Sequence, residues 1–345
     1  MTQTKEERPL VTFALFAYNQ EKYIREAVEG AFSQTYEPLE IILSDDCSSD
    51  RTFEIMQEMA AEYKGPHKIV LNRNSKNLGT IDHLLSVAHK ARGELLIVAA
   101  GDDVSLPARC QRLVAGWMQA RAGALYSDCA TIDSSGALIS PHHRVAPSTL
   151  IQRIFSDSSL PQRYDGLVRN IPGYSAAYST KVLQALPPCE NGALNEDALT
   201  TMVFNILGLP IYHVEEPLLE YRYAESSVSS HFYASSVQSI ISDEKKKIAF
   251  ARSSRKFYPY LVGIIDKIYP ISTETETIKK GLRTNYRLSE ILSEVGGRNF
   301  VGRLKLLRDC ETSSEIRIVI TRLAGLFLFA SLKKLVGSVN PAGNR

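Results

Sequence analysis

The chain has 345 residues, of which 44% are apolar and 23% are charged, as in an ordinary soluble globular protein. This length is enough for one large domain, or for a domain with a smaller appendage. The formal net charge is +2 and the basic residues of the first half are scattered, so the composition gives no support for a nucleic-acid partner.

Cysteine usage and the first residues of the chain predict a cytoplasmic location. The cysteines have no CxxC pair and no histidine spacing suited to zinc; they are Cys47, Cys110, Cys129, Cys189 and Cys310. We expect reduced thiols rather than a disulfide framework. The N-terminal residues are polar and lack the apolar core of a signal peptide, and no stretch is long and apolar enough to predict a membrane span.

Short buried strands alternate with amphipathic helices up to about residue 133. Apolar, partly β-branched runs predict strands at 10–16, 39–43, 68–71 and 95–100, and a fifth strand that begins at Leu125. Between these strands, apolar residues recur at helical spacing. The alternation predicts an α/β fold with a mostly parallel sheet and helices on both faces.

The pattern is less regular in the next part of the chain. Pro, Ser and Gly accumulate between residues 134 and 170, which indicates a loop-rich excursion. The later predicted elements are an ordered segment at 172–178, a helix from Thr180, a helix opened by 195–197, and short strands at 211–214 and 218–223.

Strand signals disappear after about residue 229. Lys and Arg there interleave with apolar residues at helical spacing, which predicts a helical region with breaks near Pro259, Pro270 and Gly296. We therefore divide the chain into an α/β domain at 1–228 and a helical region at 229–345. The second region would serve packing, oligomerisation or membrane association.

Pairs of acidic residues follow two of the predicted strands. Asp45 and Asp46 come after the second strand, and Asp102 and Asp103 come after the fourth. Ligands of open α/β sheets bind outside the carboxyl ends of the strands. A helix cap accounts for one carboxylate in each turn, as at Asp50, but not for two that repel each other. The second carboxylate of each pair therefore indicates a divalent cation or a donor-rich ligand.

Six segments, taken in order, resemble the motifs of family 2 inverting glycosyltransferases with the GT-A fold, the kind that builds bacterial polysaccharides and other glycans. They are Phe16-Ala17-Tyr18-Asn19 with the helix that follows, Asp45-Asp46-Cys47-Ser48-Ser49-Asp50-Arg51-Thr52, Asn74 to Gly79, Gly93-Glu94 with the strand leading to Asp102-Asp103, Pro172 to Tyr178, and Glu196-Asp197. The resemblance covers about residues 10 to 223.

The resemblance implies a nucleotide-sugar site made of known positions in this chain. Phe16, Ala17 and Tyr18 would lie against the nucleotide base, with Tyr18 offering its ring or its backbone. Asp46 would accept a base N–H, which favours uracil or thymine, and Gly79 would belong to the same donor site. The implied donor is therefore a UDP-sugar.

The resemblance also implies metal and catalytic roles. Asp102 would face the ribose or a metal-bound water, and Asp103 would bind Mg²⁺ or Mn²⁺ that bridges the diphosphate. His231 is a further candidate for the metal, although a solvated loop histidine is an equal alternative. Asp197 would be the general base that takes a proton from the acceptor hydroxyl, and this single displacement inverts the anomeric carbon.

Three positions depart from the family pattern. Cys47 replaces the usual Gly, so we expect a turn that does not need a positive φ. Ala100 stands where many members carry the first acid of the metal motif. The Arg/Gln-x-x-Arg-Trp motif of processive synthases is missing after Asp197, where 198–202 reads Ala-Leu-Thr-Thr-Met. This absence predicts transfer of one sugar rather than polymerisation.

Residues 316–339 combine a broad apolar helix face with positive charge. One interpretation is a terminal helix that packs on the catalytic domain or on a second subunit. The other is an amphipathic helix on an anionic membrane surface, which suits a lipid-linked acceptor and a peripheral position at the inner face of the membrane.

These features predict a metal-dependent, inverting glycosyltransferase that moves one sugar to a hydroxyl of a glycan or a lipid-linked acceptor. A sugar nucleotidyltransferase is a weaker alternative, because that class needs a glycine-rich phosphate loop where 16–20 reads Phe-Ala-Tyr-Asn-Gln. A non-catalytic nucleotide-sugar-binding or scaffold protein is the other alternative. The sequence does not identify the sugar.

Overall fold

The computed structural model describes residues 8–144, 171–189, 196–223, 258–267, 273–297 and residue 310. The strands in these ranges are β1 (Val11–Ala17), β2 (Leu39–Asp45), β3 (Lys68–Arg73), β4 (Leu95–Ala100), β5 (Val104–Ser105), β6 (Ala124–Asp133), β7 (Leu138–His143), β8 (Ala176–Ser179) and β9 (Ile211–Tyr223). The helices are α1 (Ile24–Phe32), α2 (Thr52–Glu62), α3 (Thr80–Lys90), α4 (Arg109–Ala120), α5 (Thr180–Ala185), α6 (Glu196–Ile206), α7 (258–267) and α8 (Thr273–Gly297).

The strands form a single sheet in the order β3-β2-β1-β4-β8-β6-β9-β5, with β7 paired to β6. The pairs β3–β2, β2–β1 and β1–β4 are parallel. Beyond β4 the sheet is mixed: β8 is antiparallel to both β4 and β6, whereas β9 is parallel to β6. The predicted α/β fold is therefore confirmed, and its parallel half is built from the four strands that the sequence pattern marks most clearly.

Alternating side chains of the parallel strands enter two separate cores, one on each face of the sheet. One core contains Phe13 and Ile41 and is covered by α1, α2 and α4. The other contains Ala14 and Ile42 and is covered by α3 and α6, together with buried side chains of α7 and α8 such as Leu261 and Leu282. Helices on both faces bury β1, β2 and most of β4, which explains their nearly continuous apolar sequences, whereas β3 at the edge of the sheet is partly exposed.

The two short strands predicted near residues 211–214 and 218–223 are in fact one strand, β9. Its pairing with β6 shifts register between Val214 and Pro217, so the strand continues through a bulge. The sequence Glu215-Glu216-Pro217 is typical of a turn, which is why two separate strands were predicted here. The strand nevertheless continues, because the β6 backbone on its flank offers partners on both sides of the irregularity.

Other sequence predictions fall partly or wholly outside the described residues. The segment predicted as loop-rich begins with β7, whose Leu138 and Ile139 are exposed, and residues 145–170 lie outside the described ranges. The boundary between 228 and 229 and the amphipathic segment 316–339 also lie outside them. Within the part of the chain that is described, none of the helices has the length and apolar character needed to cross a bilayer.

Substitution of Gly93 tests the spacing of β1 and β4. A Cβ at Gly93 would lie 2.3 Å from the Thr12 backbone nitrogen and 2.5 Å from the Val11 carbonyl carbon, so the backbone itself would have to move. We expect Gly93→Ala to lower the free energy of unfolding by about 1–3 kcal/mol, measured by urea denaturation.

The matched control is Gly263→Ala in α7. A Cβ at Gly263 meets no atom within 4 Å, and the residue is helical and exposed. Alanine should therefore raise the free energy of unfolding by roughly 0.5–1 kcal/mol. Equal effects of the two substitutions would show that the close approach at Gly93 is not a constraint.

Candidate active site

The carboxyl ends of β1, β2 and β4 lie side by side. In register, Ala17 is paired with Asp45, and Phe16 is paired with Ala100. The Asp46 backbone N–H donates to the Ala17 carbonyl at 2.9 Å, and the Gly101 N–H donates to the Phe16 carbonyl at 2.8 Å. The structure thus brings the predicted donor residues of three separate turns to one edge of the sheet.

Polar side chains form hydrogen bonds between the turn after β1 and the turn after β2. Asn19, which has a φ of 53°, accepts the Ser49 N–H at 2.8 Å and donates its own N–H to the Ser48 hydroxyl at 2.8 Å. Asp50 accepts the Thr52 N–H and the Glu21 N–H, both at 3.0 Å. The Ser-Ser-Asp-Arg-Thr segment therefore has a structural role. Asp50 was expected to be the N-cap or a first-turn acid of α2; it lies one residue before the N-cap, Arg51, and its carboxylate accepts the first N–H of the helix.

The expectation that the turn at Cys47 avoids a positive φ was wrong. Cys47 has a φ of 64°, a left-handed conformation that glycine adopts at lower cost. The turn requires this geometry because the Ser48 N–H must fold back to the Asp45 carboxylate, which it reaches at 2.9 Å. The turn thus keeps a left-handed backbone conformation at this position, although a cysteine occupies it instead of the usual glycine.

The paired acids after β2 differ in how far the protein itself supplies their donors, since Asp45 Oδ1 is buried and has no hydrogen-bond partner among the described residues. Asp45 is fully buried, and its Oδ2 lies 3.3 Å from Arg73 Nε. Asp46 accepts hydrogen bonds from Asn74 Nδ2 at 2.8 Å, from the Leu78 N–H at 2.9 Å and from the Gly79 N–H at 3.0 Å. Internal donors thus account for much of the hydrogen-bonding capacity of Asp46, and the ligand role expected of the second carboxylate stays a prediction.

A buried histidine lies directly behind Asp46. His83 Nδ1 is 4.0 Å from Asp46 Oδ2, and His83 Nε2 is 2.5 Å from the Ser44 hydroxyl oxygen. Its ring also meets the Phe16 ring edge-on, with centroids 4.9 Å apart. Burial lowers the pKa of His83 to about 4, in spite of the opposing charge of Asp46. The imidazole is therefore neutral at pH 7, and the Phe16 side chain packs on it.

The two acids after β4 differ in their exposure. Asp102 is partly exposed, and burial raises the pKa of its carboxyl group in spite of the nearby Arg222 charge. Asp103 is only 4% exposed, and its Oδ1 accepts the Arg222 backbone N–H at 2.8 Å. Its Oδ2 is buried and accepts no hydrogen bond from any described residue. Asp102 is thus the acid of this turn that a ligand reaches first.

Asp197 lies at the start of α6, next to Glu196. Its carboxylate accepts the backbone N–H of Gly173, and burial raises its pKa. A Cβ at Gly173 would lie 2.6 Å from Glu196 Oε1, so a glycine there permits the close approach. The Thr80 hydroxyl hydrogen-bonds to Glu196, and Thr80 directly follows Gly79. This contact links the start of α6, where the predicted base Asp197 lies, to the sheet edge that carries the predicted donor residues.

Burial raises the pKa of Glu196 to about 7, and the charge of Asp197 raises it further, against the hydrogen bond from Thr80. Two neighbouring carboxyls that cannot both ionise at low cost share a proton. Burial raises the pKa of Asp197 as well, so the pair takes up a proton more readily than two exposed carboxyl groups would.

Two contributors to this region are absent from the sequence predictions. His83 occupies an apolar helix face, where a histidine is most simply interpreted as core, and Arg222 alternates with apolar residues in β9. The predicted metal candidate His231 lies outside the described residues. In the ranges that are described, no group of three or more His, Cys, Asp or Glu residues has an arrangement that could hold a metal ion.

The pH dependence of stability tests the neutral state of His83. A histidine with a folded-state pKa of about 4, against 6.5 when unfolded, contributes stability that is complete above pH 6.5 and is lost as the pH falls towards 4. We expect the wild type to lose up to about 3 kcal/mol more than His83→Gln over this interval, by urea denaturation at each pH. Parallel curves for the two proteins would rule out a buried neutral imidazole.

Glu196 should give a pH dependence of the free energy of unfolding opposite in direction to that of His83, and Glu196→Gln tests it. A glutamate with a folded-state pKa of about 7, raised from 4.5, contributes stability below pH 4.5 that is lost as the pH rises through 7. The wild type should therefore lose up to about 3 kcal/mol relative to the variant between these pH values. Glu54→Gln, on the exposed surface of α2, is the control and should follow the wild type.

Comparisons with known proteins place the chain in a family. EpsE of Bacillus subtilis (strain 168) is 36% identical over 108 residues, which are 31% of this chain and 38% of EpsE. The alignment thus spans well under half of that relative.

The crystal structure of S. aureus TarS 1-349 matches with a TM-score of 0.54 at 14% identity, over 92% of this chain and 91% of that one. TarS 1-349 in complex with UDP-GlcNAc gives a TM-score of 0.50 at 15% identity over the same shares. The mannosyltransferase PcManGT from Pyrobaculum calidifontis, in complex with GDP-Man and Mn²⁺, gives 0.51 at 14% identity, over 96% of this chain and 81% of PcManGT.

At these identities the structural likeness shows the fold alone, and it confirms the fold that the sequence resemblance implies. The family model described as Glycosyl transferase family 2 matches residues 12–186, just over half of the chain. The predicted family is thereby confirmed: this chain belongs to glycosyl transferase family 2.

Proposed function

We propose that this chain is a glycosyltransferase that moves one sugar from a nucleotide-sugar to an acceptor hydroxyl, with inversion of the anomeric carbon. One observation carries the proposal. The turns after β1, β2 and β4 meet at one sheet edge, and the start of α6 reaches this edge through the contact between Glu196 and Thr80. Membership of glycosyl transferase family 2 supports the same activity.

The proposed donor site extends across the turns after β1 and β2. Tyr18 is 48% exposed and offers a free ring beside Ala17. A carboxylate has about four lone-pair positions, and the Asn74–Gly79 segment occupies three on Asp46, so one position stays open for a base N–H. Uracil and guanine both present such an N–H. TarS binds UDP-GlcNAc and PcManGT binds GDP-Man, and we propose a UDP-sugar here.

A divalent cation is proposed at the turn after β4. Carboxylate oxygens are the ligands that Mg²⁺ and Mn²⁺ prefer, and the Mn²⁺ complex of PcManGT supports such an ion in this fold. The partly exposed Asp102 and the unpartnered Oδ2 of Asp103 fit this chemistry. The geometry favours Asp102 as the first ligand and Asp103 behind it, the reverse of the order predicted from sequence. When bound, the cation would neutralise the charge of the donor diphosphate.

Asp197 performs the proton transfer in this proposal. Its carboxylate accepts the acceptor hydroxyl's proton while the hydroxyl oxygen uses an electron pair to bond to the anomeric carbon. The bond from this carbon to the diphosphate oxygen breaks on the opposite face, and the nucleoside diphosphate leaves with that electron pair. Burial raises the pKa of both Glu196 and Asp197, which makes the pair a better proton acceptor than an exposed carboxylate would be.

The acceptor is proposed to be a hydroxyl of a glycan or a lipid-linked saccharide in the synthesis of a surface polysaccharide or glycoconjugate. A cytoplasmic location, peripheral at the inner face of the membrane, remains a prediction from sequence.

A panel of nucleotide-sugars, with and without Mn²⁺, tests the proposed function. A ligand that binds only the native state raises stability, by about 2.7 kcal/mol at a hundred times its Kd, so the true donor should raise Tm. Asp197→Asn should keep this donor-induced shift and lose transfer by about 10²–10⁴-fold.

Asp266→Asn is the matched control, because Asp266 is an exposed acid on α7 whose partner is Lys279. It should leave both donor binding and transfer unchanged. Indifference of the wild type to every nucleoside diphosphate would overturn the proposed function. Unchanged transfer in Asp197→Asn would remove Asp197 as the base and favour another proton acceptor.

A further inference from the structure

A fully buried arginine lies beneath the acidic turn after β4. Arg222 is the second-last residue of β9, and it is 1% exposed. Burial of a guanidinium is costly unless its donors are satisfied. The groups that accept its hydrogen bonds therefore indicate the role of this arginine in the fold.

The donors of Arg222 reach four different parts of the fold. Its Nε donates to the Asp102 backbone carbonyl at 2.8 Å, and its backbone N–H donates to Asp103 Oδ1 at 2.8 Å. One terminal nitrogen donates to the Asp133 carbonyl at the end of β6, at 3.2 Å, and the other donates to Glu26 Oε2 on α1, at 2.7 Å. A single residue thus contacts the backbone of Asp102 through its side chain and the carboxylate of Asp103 through its own backbone.

The guanidinium plane is itself fixed from outside the turn. It lies over the Tyr23 ring, with its central carbon 4.7 Å from the ring centroid. A Cβ at Gly136 would lie 3.7 Å from its Nη1, so the β6–β7 hairpin closes another side. A planar group with donors in fixed directions keeps its orientation when packed in this way, which a lysine ammonium does not.

The ion pair with Glu26 does not by itself account for the buried position. The Glu26 side chain is 51% exposed, and half-exposed ion pairs contribute little to stability. The remaining guanidinium acceptors are backbone carbonyls of two turns. This pattern is that of a group that fixes backbone positions, rather than one that neutralises an acid.

We propose that Arg222 is a positioning residue for the cation and diphosphate side of the donor site. It acts through the backbone of the Asp102–Asp103 turn, and it does not touch the donor. The proposal rests on the proposed function, since it assigns the held turn to the diphosphate. On the base side of the site, Asn19 and Asp46 are held by contacts that do not involve Arg222.

Three probes separate positioning from general destabilisation: uridine, UDP, and UDP with Mn²⁺, each titrated calorimetrically against the full chain. Arg222→Met should bind uridine as the wild type does, because uridine reports the base side alone. Its affinity for UDP with Mn²⁺ should fall by about 10–100-fold, the usual cost of losing a group that orients a ligand to a metal. Arg222→Lys should give an intermediate loss.

Two further variants keep the test decisive. Glu26→Gln removes only a half-exposed partner of Arg222, so it should fold and show a smaller loss in the same direction. Arg92→Met breaks the ion pair with the buried Glu40 at the opposite end of the strands, at 2.9 Å, and should lower Tm without changing the binding of any probe.

Equal affinity of wild type and Arg222→Met for UDP with Mn²⁺ would overturn the inference. A parallel loss of uridine binding in a folded Arg222→Met would also overturn it, because the role would then be structural. If the wild type itself binds none of the three probes, the proposed function fails instead.

Discussion

Three carboxylates are buried at the carboxyl edge of the sheet, and the need to give each of them a donor shapes everything around the site. Asp45 Oδ2 is contacted by the Ser48 N–H and by Arg73, Asp46 accepts N–H donors from the segment that ends at Gly79, and Asp103 Oδ1 accepts the backbone N–H of Arg222. The second oxygens of Asp45 and Asp103 are buried without a hydrogen-bond partner among the described residues. A buried acid without such partners would cost several kcal/mol or would take up a proton. The turns therefore fold back onto the acids, and their conformation follows from the charge they enclose.

Most of the fold could be predicted from local patterns in the sequence. Strands β1, β2 and β4 are buried on both faces, so their apolar runs differ sharply from the amphipathic helices between them. The convergence of residues 16–18, Asp46 and Asp102 follows from the same pattern, because parallel strands place their carboxyl ends at one edge. The roles of these residues toward a donor stay predictions, since the structure shows their positions and not their ligands.

The features that could not be predicted depend on contacts between residues far apart in the chain. Arg222 and Glu26 are 196 residues apart, and His83 and Ser44 are 39 apart, so no local pattern could indicate either contact. The order of the two acids after β4 was predicted differently, because adjacent residues in a sequence do not reveal which is buried. Cys47 was misjudged because its conformation is imposed by a hydrogen bond to Asp45 and not by its own preference.

Two register shifts in β9, one between Val214 and Pro217 and one between Pro217 and Glu220, together determine which face of the sheet each residue at the end of that strand meets. Between the pair Ser127–Val214 and the pair Ile132–Arg222, β9 uses three more residues than β6. Side chains alternate between faces with a period of two, so an odd excess reverses which face each later residue meets. Gain or loss of a single residue in 215–217 would turn the guanidinium away from the acidic turn. The number of residues between these points therefore decides whether Arg222 faces the acidic turn at all.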